Sequence, residues 1–337
     1  MKKIRLGING FGRIGRLFLR SVQNHPQLEV VMINSGSNPQ SHAFLFEHDS
    51  TYGQYKGTVG STDHSIIIDG HEILVTKVMD PGQIPWHNAQ VDVVVEASGL
   101  FTDKETAQKH LQALGVKKVI ISAPGKGVDG TFVMGVNEQS YDPTTQHVIA
   151  NASCTTNCLT PIAYLLNNAY GIKHAVMNTT HSYTSDQNLL DNSHPHDLRR
   201  ARGAGQNMIP TTTGAALATT EVIPELKGKL NGIAVRVPTA TVSLLNLVAE
   251  LEQGVTKEAI NQLFKDASVG FMKQYLAYNE LPLVSSDYKG TTYSCIVDGL
   301  STDVVDKTMV SIVAWYDNEW GYTQRLVELT GYVASKL

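Results

Sequence analysis

The sequence predicts an α/β fold in two parts: a doubly wound parallel sheet in the first half, then an α+β region with an antiparallel or mixed sheet. Three observations predict it. A short strand, Ile4 to Ile8, runs straight into a glycine turn and then a helix-like stretch from Arg16 to Val22. Apolar strands then alternate with helix-like runs, the pattern of parallel βαβ units. Beyond the Cys154 region the strands lengthen, become rich in Thr and Val, and are joined by long connections, which suits antiparallel pairing.

The opening strand ends in Asn9-Gly10-Phe11-Gly12-Arg13-Ile14-Gly15, a GxGxxG turn between strand and helix. Gly10 permits the tight turn, Gly12 lets backbone approach a pyrophosphate, and Gly15 allows close helix–strand packing. The context is that of a Rossmann dinucleotide-binding domain. The second strand, Leu28 to Ile33, leads to Asn34-Ser35-Gly36-Ser37. An acidic residue about 20 positions past the third glycine would hold the ribose 2′-hydroxyl of NAD. Ser35 stands there instead, so the cofactor is expected to be NAD(P), leaning to NADP acceptance because no carboxylate repels a 2′-phosphate.

Ser65 to Val75 reads as a hairpin, since Asp69-Gly70 supplies the positive φ of a type I′ turn. Val91 to Val95 and Lys118 to Ile121 are buried strands, separated by a helix expected over Lys104 to Leu114 and closed by Gly115. Ligands of open α/β sheets lie outside the carboxyl ends of the strands. Ser98 and Ser122 stand there, either as lining of the cofactor site or as plain turn formers.

Ala152-Ser153-Cys154-Thr155-Thr156-Asn157-Cys158 precedes a helix-like run from Leu159 to Tyr170 that Gly171 closes. A thiol at a helix start is favoured as thiolate by the positive helix end and the free N–H groups there. The competing reading of Cys154 is a small buried hydrophobe. Cys158 follows four residues later on the same face and reads as structural, with a resolving thiol as the alternative. Strands are expected over Ala175 to Thr180, Leu230 to Val237, Val242 to Leu251 and Met309 to Trp315, with helices over Glu258 to Ala267 and Tyr322 to Lys336. His181 then falls at a strand end, where an imidazole of pKa near 6.5 can take the thiol proton to form an ion pair. Residues 182–210 lack periodicity, and loops of that length are functional or packed in an interface. Arg199, Arg200 and Arg202 of this loop suit a small phosphate better than nucleic acid. His194-Pro-His196 lacks accompanying ligands, and no metal is expected.

Composition bounds the function. With 337 residues and 42% apolar content there is enough chain for two cored domains. A net charge of −4 gives no global basic field for nucleic acid or membrane. Three cysteines, an odd number, argue for a reducing compartment, and no signal-like or membrane-spanning run occurs. A cytoplasmic location is expected.

Taken with the glycine turn, the motifs Ser153-Cys154-Thr-Thr-Asn-Cys158, His181-Ser-Tyr-Thr184, Thr211-Thr-Thr213-Gly214-Ala-Ala216, Arg236-Val-Pro-Thr239 and Trp315-Tyr-Asp-Asn318-Glu-Trp-Gly-Tyr322 closely resemble phosphorylating glyceraldehyde-3-phosphate dehydrogenase, in the family's order over nearly the whole chain. The resemblance implies Cys154 as nucleophile and His181 as its base. It implies Ser153, Thr155, Thr184, Arg200, Thr213, Gly214 and Arg236 as substrate or phosphate contacts. Arg13 and Ile14 would meet the pyrophosphate, and Asn318 the nicotinamide carboxamide. It further implies a homotetramer in which the 182–210 loop packs against neighbouring cofactor sites. Residues 1–153 and 319–337 would form the NAD(P)-binding domain, and 154–318 the catalytic domain. The implied reaction is oxidative phosphorylation of glyceraldehyde 3-phosphate with inorganic phosphate to 1,3-bisphosphoglycerate, a step of glycolysis and gluconeogenesis, through a hemithioacetal and a thioester on Cys154. The alternatives are a hydrolytic erythrose-4-phosphate dehydrogenase and a catalytically silent binding protein.

Overall fold

Val93, Val94, Val95, Val119, Ile120 and Ile121 carry apolar side chains on both faces of their strands, and all are fully buried. Such strands need cover on both sides, which parallel βαβ sheets provide. In the computed structural model, which describes residues 3–337, they form the middle of a nine-stranded sheet. Its order is Gly130–Thr131, Val148–Ala150, Lys118–Ile121, Val93–Glu96, Ile4–Asn9, Leu28–Asn34, His71–Thr76, Ser65–Ile68, Val59–Ser61. Pairing is parallel from the first of these through His71–Thr76. The last two strands are antiparallel additions at the edge. The hairpin turn has Asp69 at φ 49° and Gly70 at φ 80°, as a type I′ turn requires.

The chain leaves Ile4–Asn9 toward one edge through Leu28–Asn34, and later returns to its other side with Val93–Glu96. The strand order therefore reverses between Ile4–Asn9 and Val93–Glu96, the switch point where ligands of such sheets bind. The glycine turn lies at its carboxyl end. Gly10 has φ 93°, and a Cβ there would strike the backbone of Ser98. A Cβ on Gly15 would strike the Gly10 carbonyl, so helix Arg13–Val22 can seat only with glycine at that position.

The Lys104–Leu114 stretch departs from expectation. Only Lys104–Ala107 is α-helical, and Gln108–Gln112 winds more tightly as a 3₁₀ turn. The tight turn carries His110 wholly inside, against Trp86 and Glu96.

Contacts divide the chain into two compact units: the described residues up to Phe132 with Glu138–Ala152 and Thr323–Leu337, and Val133–Asn137 with Ser153–Tyr322. In the first, helix Trp320–Ala334 contributes the buried Leu326, Leu329 and Val333, and Gln324 donates to Ser21 Oγ at 2.8 Å.

The second unit holds a mixed sheet in the order Ile209–Thr212, Leu230–Val237, Ile172–Ser182, Ser243–Leu251, Met309–Tyr316, Cys295–Asp298, Leu276–Asn279, with Asp303–Val305 beside Met309–Tyr316. Ile172–Ser182 pairs parallel with Leu230–Val237 and antiparallel with Ser243–Leu251. The parallel pairing is possible because helix Ala215–Val222 lies in the crossover after the long loop. Strict alternation of buried and half-exposed residues along Ser243–Leu251 marks a sheet covered on one face. On that face lie helices Cys154–Tyr170 and Ala215–Val222, joined by a buried hydroxyl pair, Thr160 Oγ1 to Thr219 Oγ1 at 3.1 Å. On the opposite side Val176 and Ile233 are more than half exposed.

Candidate active site

Cys154 is the first residue of helix Cys154–Tyr170. Ser153 is its N-cap, extended in backbone, with Oγ accepting the Thr156 N–H at 3.0 Å. Ala152 just before it is held at φ 54°, a left-handed conformation uncommon outside glycine and frequent at functional sites. Strand Ile172–Ser182 brings His181 to the thiol, with Sγ 3.4 Å from Nε2.

Which proton sits where follows from the partners. His181 Nδ1 lies 2.7 Å from the Ser182 carbonyl, which can only accept, and 2.9 Å from Arg236 Nη1, which can only donate. A ring proton on Nδ1 serves the nearer carbonyl and turns the Nε2 lone pair to the thiol, while the guanidinium has Ser182 O and Thr184 Oγ1 as acceptors of its own. Burial, and then the Arg236 guanidinium, push His181 down to about 3. Burial also raises the Cys154 thiol, opposed by Arg236 and by hydrogen bonds from Thr155. Both shifts favour neutral thiol and neutral imidazole over the ion pair expected of an unperturbed histidine. A low dielectric disfavours both charged forms.

Arg236 places Nη1 2.9 Å from His181 Nδ1 and donates to Ser182 O at 3.2 Å and Thr184 Oγ1 at 3.4 Å. Its Nε is buried with no protein partner among the described residues. A buried cation with a spare donor beside a nucleophile is suited to an anion. Tyr316 closes the other side, its ring edge-on to His181 at 5.9 Å. Thr179 donates to Leu244 O, so it accepts the Tyr316 O–H at 2.8 Å, and Tyr316 in turn accepts from Thr155 at 2.9 Å. Burial keeps the phenol far above its usual range, hence protonated.

Asn318 is buried, with Oδ1 accepting from Ser182 Oγ at 2.8 Å and Ser243 Oγ at 3.0 Å. That fixes its amide with Nδ2 as the donor end. Helix Ala215–Val222 starts at Gly214, where a Cβ would meet nothing within 4 Å, and Thr213 Oγ1 accepts the Ala215 N–H at 3.2 Å. Arg200 runs alongside, donating to Thr211 Oγ1 at 2.9 Å and Thr212 O at 3.3 Å, and pairing with Asp186 and Asp197. Arg202 pairs with Asp191, and Arg199 donates to Pro210 O. The three guanidinium groups are thus tied into their own loop and do not form one cluster.

In the first unit a cleft of ≈270 Å³ is lined by Gly10, Gly12, Ser35, Gly36, Lys77 and Ser98 among others, with no carboxylate in its lining. A Cβ on Gly12 or Gly36 would meet nothing within 4 Å. Gly12 caps helix Arg13–Val22 without a side-chain hydrogen bond, which leaves an open, positive helix start for a pyrophosphate. These residues fit a dinucleotide.

The family model described as "Glyceraldehyde 3-phosphate dehydrogenase, NAD binding domain" matches residues 4–104, and that described as "Glyceraldehyde 3-phosphate dehydrogenase, C-terminal domain" matches residues 153–318. The chain belongs to the glyceraldehyde-3-phosphate dehydrogenase family. It is 52% identical over 333 residues to the glyceraldehyde-3-phosphate dehydrogenase of Geobacillus stearothermophilus, covering 99% of both chains. Glyceraldehyde-3-phosphate dehydrogenase 1 of Bacillus cereus is 52% identical over 332 residues, 98% of this chain and 99% of that one. Glyceraldehyde-3-phosphate dehydrogenase 2 of Trichormus variabilis is 51% identical over 336 residues, 99% of each.

Of the residues named from sequence in this family member, Cys154, His181, Thr184 and Arg236 come together. Ser153 and Thr155 adjoin them, but their hydroxyls are occupied by the helix cap and by Tyr316. Gly10, Gly12, Ser35 and Ser98 line the cleft. Ile14 lies in the first turn of the glycine-turn helix, where backbone N–H groups are its contribution. The Arg13 guanidinium is engaged by Asp49 at 2.5 Å and stacks over Tyr52. Ser122 extends the sheet through its N–H to Glu96 O at 2.9 Å and is not part of the cleft lining. Sequence reasoning missed Tyr316, Thr179, Ser182, Ser243 and Lys77. Tyr316 stands inside a motif already quoted, and alternation from the buried Ala314 places it inward.

Proposed function

We propose that this chain is a phosphorylating, NAD(P)-dependent glyceraldehyde-3-phosphate dehydrogenase that works through Cys154. The first unit would hold the dinucleotide and the second the thiol chemistry. The observation that carries this reading is the 3.4 Å contact between Cys154 Sγ and His181 Nε2, in a ring whose Nδ1 lies 2.7 Å from the Ser182 carbonyl.

Cys154 Sγ attacks the aldehyde carbon while its proton passes to Nε2, and the helix-start N–H groups stabilise the developing oxyanion. His181 returns that proton to give the hemithioacetal hydroxyl, then accepts it again as the C–H bond breaks. The bound nicotinamide supplies the hydride acceptor. The thioester left on Sγ is attacked by inorganic phosphate, the C–S bond breaks with Sγ leaving as thiolate, the proton held on His181 Nε2 returns to it, and the acyl phosphate departs. Arg236, with its spare Nε, holds one phosphoryl group, and the open helix start at Gly214 with Thr213 holds the other, Arg200 bracing that strand end through Thr211 and Thr212. Asn318, whose Oδ1 is held by Ser182 and Ser243, would offer Nδ2 to the nicotinamide carboxamide when the dinucleotide is bound.

Ser35, Gly36 and Lys77 favour NADP acceptance alongside NAD, because the cleft offers a cation and no carboxylate to a 2′-phosphate. A cytoplasmic homotetramer, assembled through the 182–210 loop and the exposed sheet face at Val176 and Ile233, completes the proposal. Steady-state rates with glyceraldehyde 3-phosphate, with and without inorganic phosphate, test the reaction: turnover must depend on phosphate and vanish in Cys154→Ala. Phosphate-independent turnover of a four-carbon aldehyde phosphate would overturn it. The same assay with both dinucleotides tests the cofactor, and an NAD preference in kcat/KM above roughly a hundredfold, or about 2–3 kcal/mol, rules out NADP acceptance.

A further inference from the structure

Beneath the glycine turn runs a buried polar chain that takes no part in the chemistry above. We infer that Glu96 is a positioning residue for the dinucleotide, its ionised carboxylate fixing the carboxyl ends of three adjacent strands and so the wall of the cleft, an assignment that rests on the dinucleotide reading of that cleft.

The proton positions can be worked out from donors alone. Glu96 Oε1 accepts the Ser98 N–H at 2.8 Å and the Ser98 hydroxyl at 2.5 Å. Oε2 accepts Asn9 Nδ2–H at 2.5 Å and lies 3.0 Å from His110 Nε2. Trp86 Nε1, which can only donate, sits 3.1 Å from His110 Nδ1. Nδ1 must therefore accept, and the neutral ring's proton is on Nε2, facing the carboxylate. The Ser98 N–H, Asn9 Nδ2–H and His110 Nε2–H can only donate, and the Ser98 hydroxyl, whose oxygen accepts the Leu100 N–H at 3.1 Å, turns its own hydrogen to Oε1, so both carboxylate oxygens act as acceptors.

The network reaches the cleft directly. Asn9 ends the strand Ile4–Asn9, and its Oδ1 accepts from Asn34 at the end of Leu28–Asn34 at 2.8 Å. Asn34 Oδ1 in turn accepts the Val78 N–H at 2.8 Å. Ser98 lines the cleft, and its backbone is what a Cβ on Gly10 would strike. Glu96, His110, Trp86 and Asn9 are all at most 2% exposed. A buried charge held by neutral donors is a costly way to fill space that apolar side chains would fill better. Its return is the placement of Asn9, Asn34 and Ser98 together.

Packing and positioning separate in paired variants. His110→Gln keeps a donor for Glu96 and an acceptor for Trp86, whereas His110→Leu fills the space and loses both. Glu96→Gln keeps the shape and puts an N–H against donors. The readouts are NAD+ and NADP+ dissociation constants by calorimetry on the intact protein without aldehyde, the split between KM and kcat, and the rate of Cys154 alkylation. His110→Gln is expected to keep the unmodified affinity. His110→Leu and Glu96→Gln should weaken dinucleotide binding roughly tenfold, the scale of one mismatched buried donor, raising KM for the dinucleotide with alkylation unchanged. Should Glu96→Gln fail to fold, the His110 pair still decides, and equal affinities for Gln and Leu at His110 would overturn the inference. If the unmodified protein binds neither dinucleotide, the reading of the cleft itself fails and takes the inference with it.

Discussion

Arg236 acts on Cys154 and His181 in opposite senses, because one guanidinium favours a thiolate and disfavours an imidazolium. The consequence is a base that stays neutral well below physiological pH. Free histidine titrates near 6.5, and burial with Arg236 pushes His181 down to about 3. Above pH 6.5 neither folded nor unfolded chain carries that proton, and full stability is present. As pH falls from 6.5 toward 3, the unfolded chain takes up a proton that the folded one refuses. Each unit then costs about 1.4 kcal/mol. Between pH 6.5 and 5, His181→Gln should lose about 2 kcal/mol less stability than the unmodified chain in urea titrations at matched protein concentration. Equal losses would mean that His181 is not held neutral. At this scale Cys154 was legible, because a thiol just past a capping serine is a local pattern. The tautomer of His181 was not, since it depends on a carbonyl and a guanidinium that meet only through strand register: His181 pairs with Arg236 across the parallel ladder.

The helix that carries Cys154 begins with a cap, and the cap and the nucleophile are neighbours. Ser153→Ala removes the oxygen that accepts the Thr156 N–H, at a cost of about 1 kcal/mol. Thermal or urea unfolding should register that loss. If the hydroxyl serves the cap and not the substrate, KM for the aldehyde will hold; a large rise in KM with unchanged stability would assign Ser153 to the substrate. Strands and helices with a clean period, such as Leu230–Val237 and Lys118–Ile121, were readable to the residue. The helix expected over Lys104 to Leu114 was not. Its apolar spacing fits an α-helix, yet the demand for His110 at the Glu96–Trp86 network rewinds it, and a propensity argument carries no trace of such a long-range polar partner. The same limit applies to the arginines of the 182–210 loop. Their proximity in sequence suggested one anion site, but Asp186, Asp191 and Asp197 of the same loop claim two of them.

For the whole molecule, the open side of the mixed sheet is the feature that a single chain leaves unexplained. Val176 is 59% and Ile233 53% exposed on neighbouring strands, with Met177, Gly232 and Val248 beside them. If copies assemble through this face, Val176→Asp with Ile233→Asp should lower the mass measured by sedimentation equilibrium to that of a smaller assembly while each chain stays folded. An unchanged mass would exclude the face from the interface. Sequence alternation shows which residues of Ile172–Ser182 point away from the helices, but nothing in one chain's periodicity says what covers them. Helix Trp320–Ala334 has a consequence of another kind. Its residues from Thr323 onward belong to the first compact unit, and Leu326, Leu329 and Val333 are fully buried there. A ribosome that has finished Ala152 must still make Ser153–Tyr322 of the second unit before it emits the piece that completes the first. At roughly 5–20 residues per second that is a wait on the order of ten seconds. During that interval the dinucleotide-binding half waits with an open seam, which residues 323–337 close only after the intervening unit has been made.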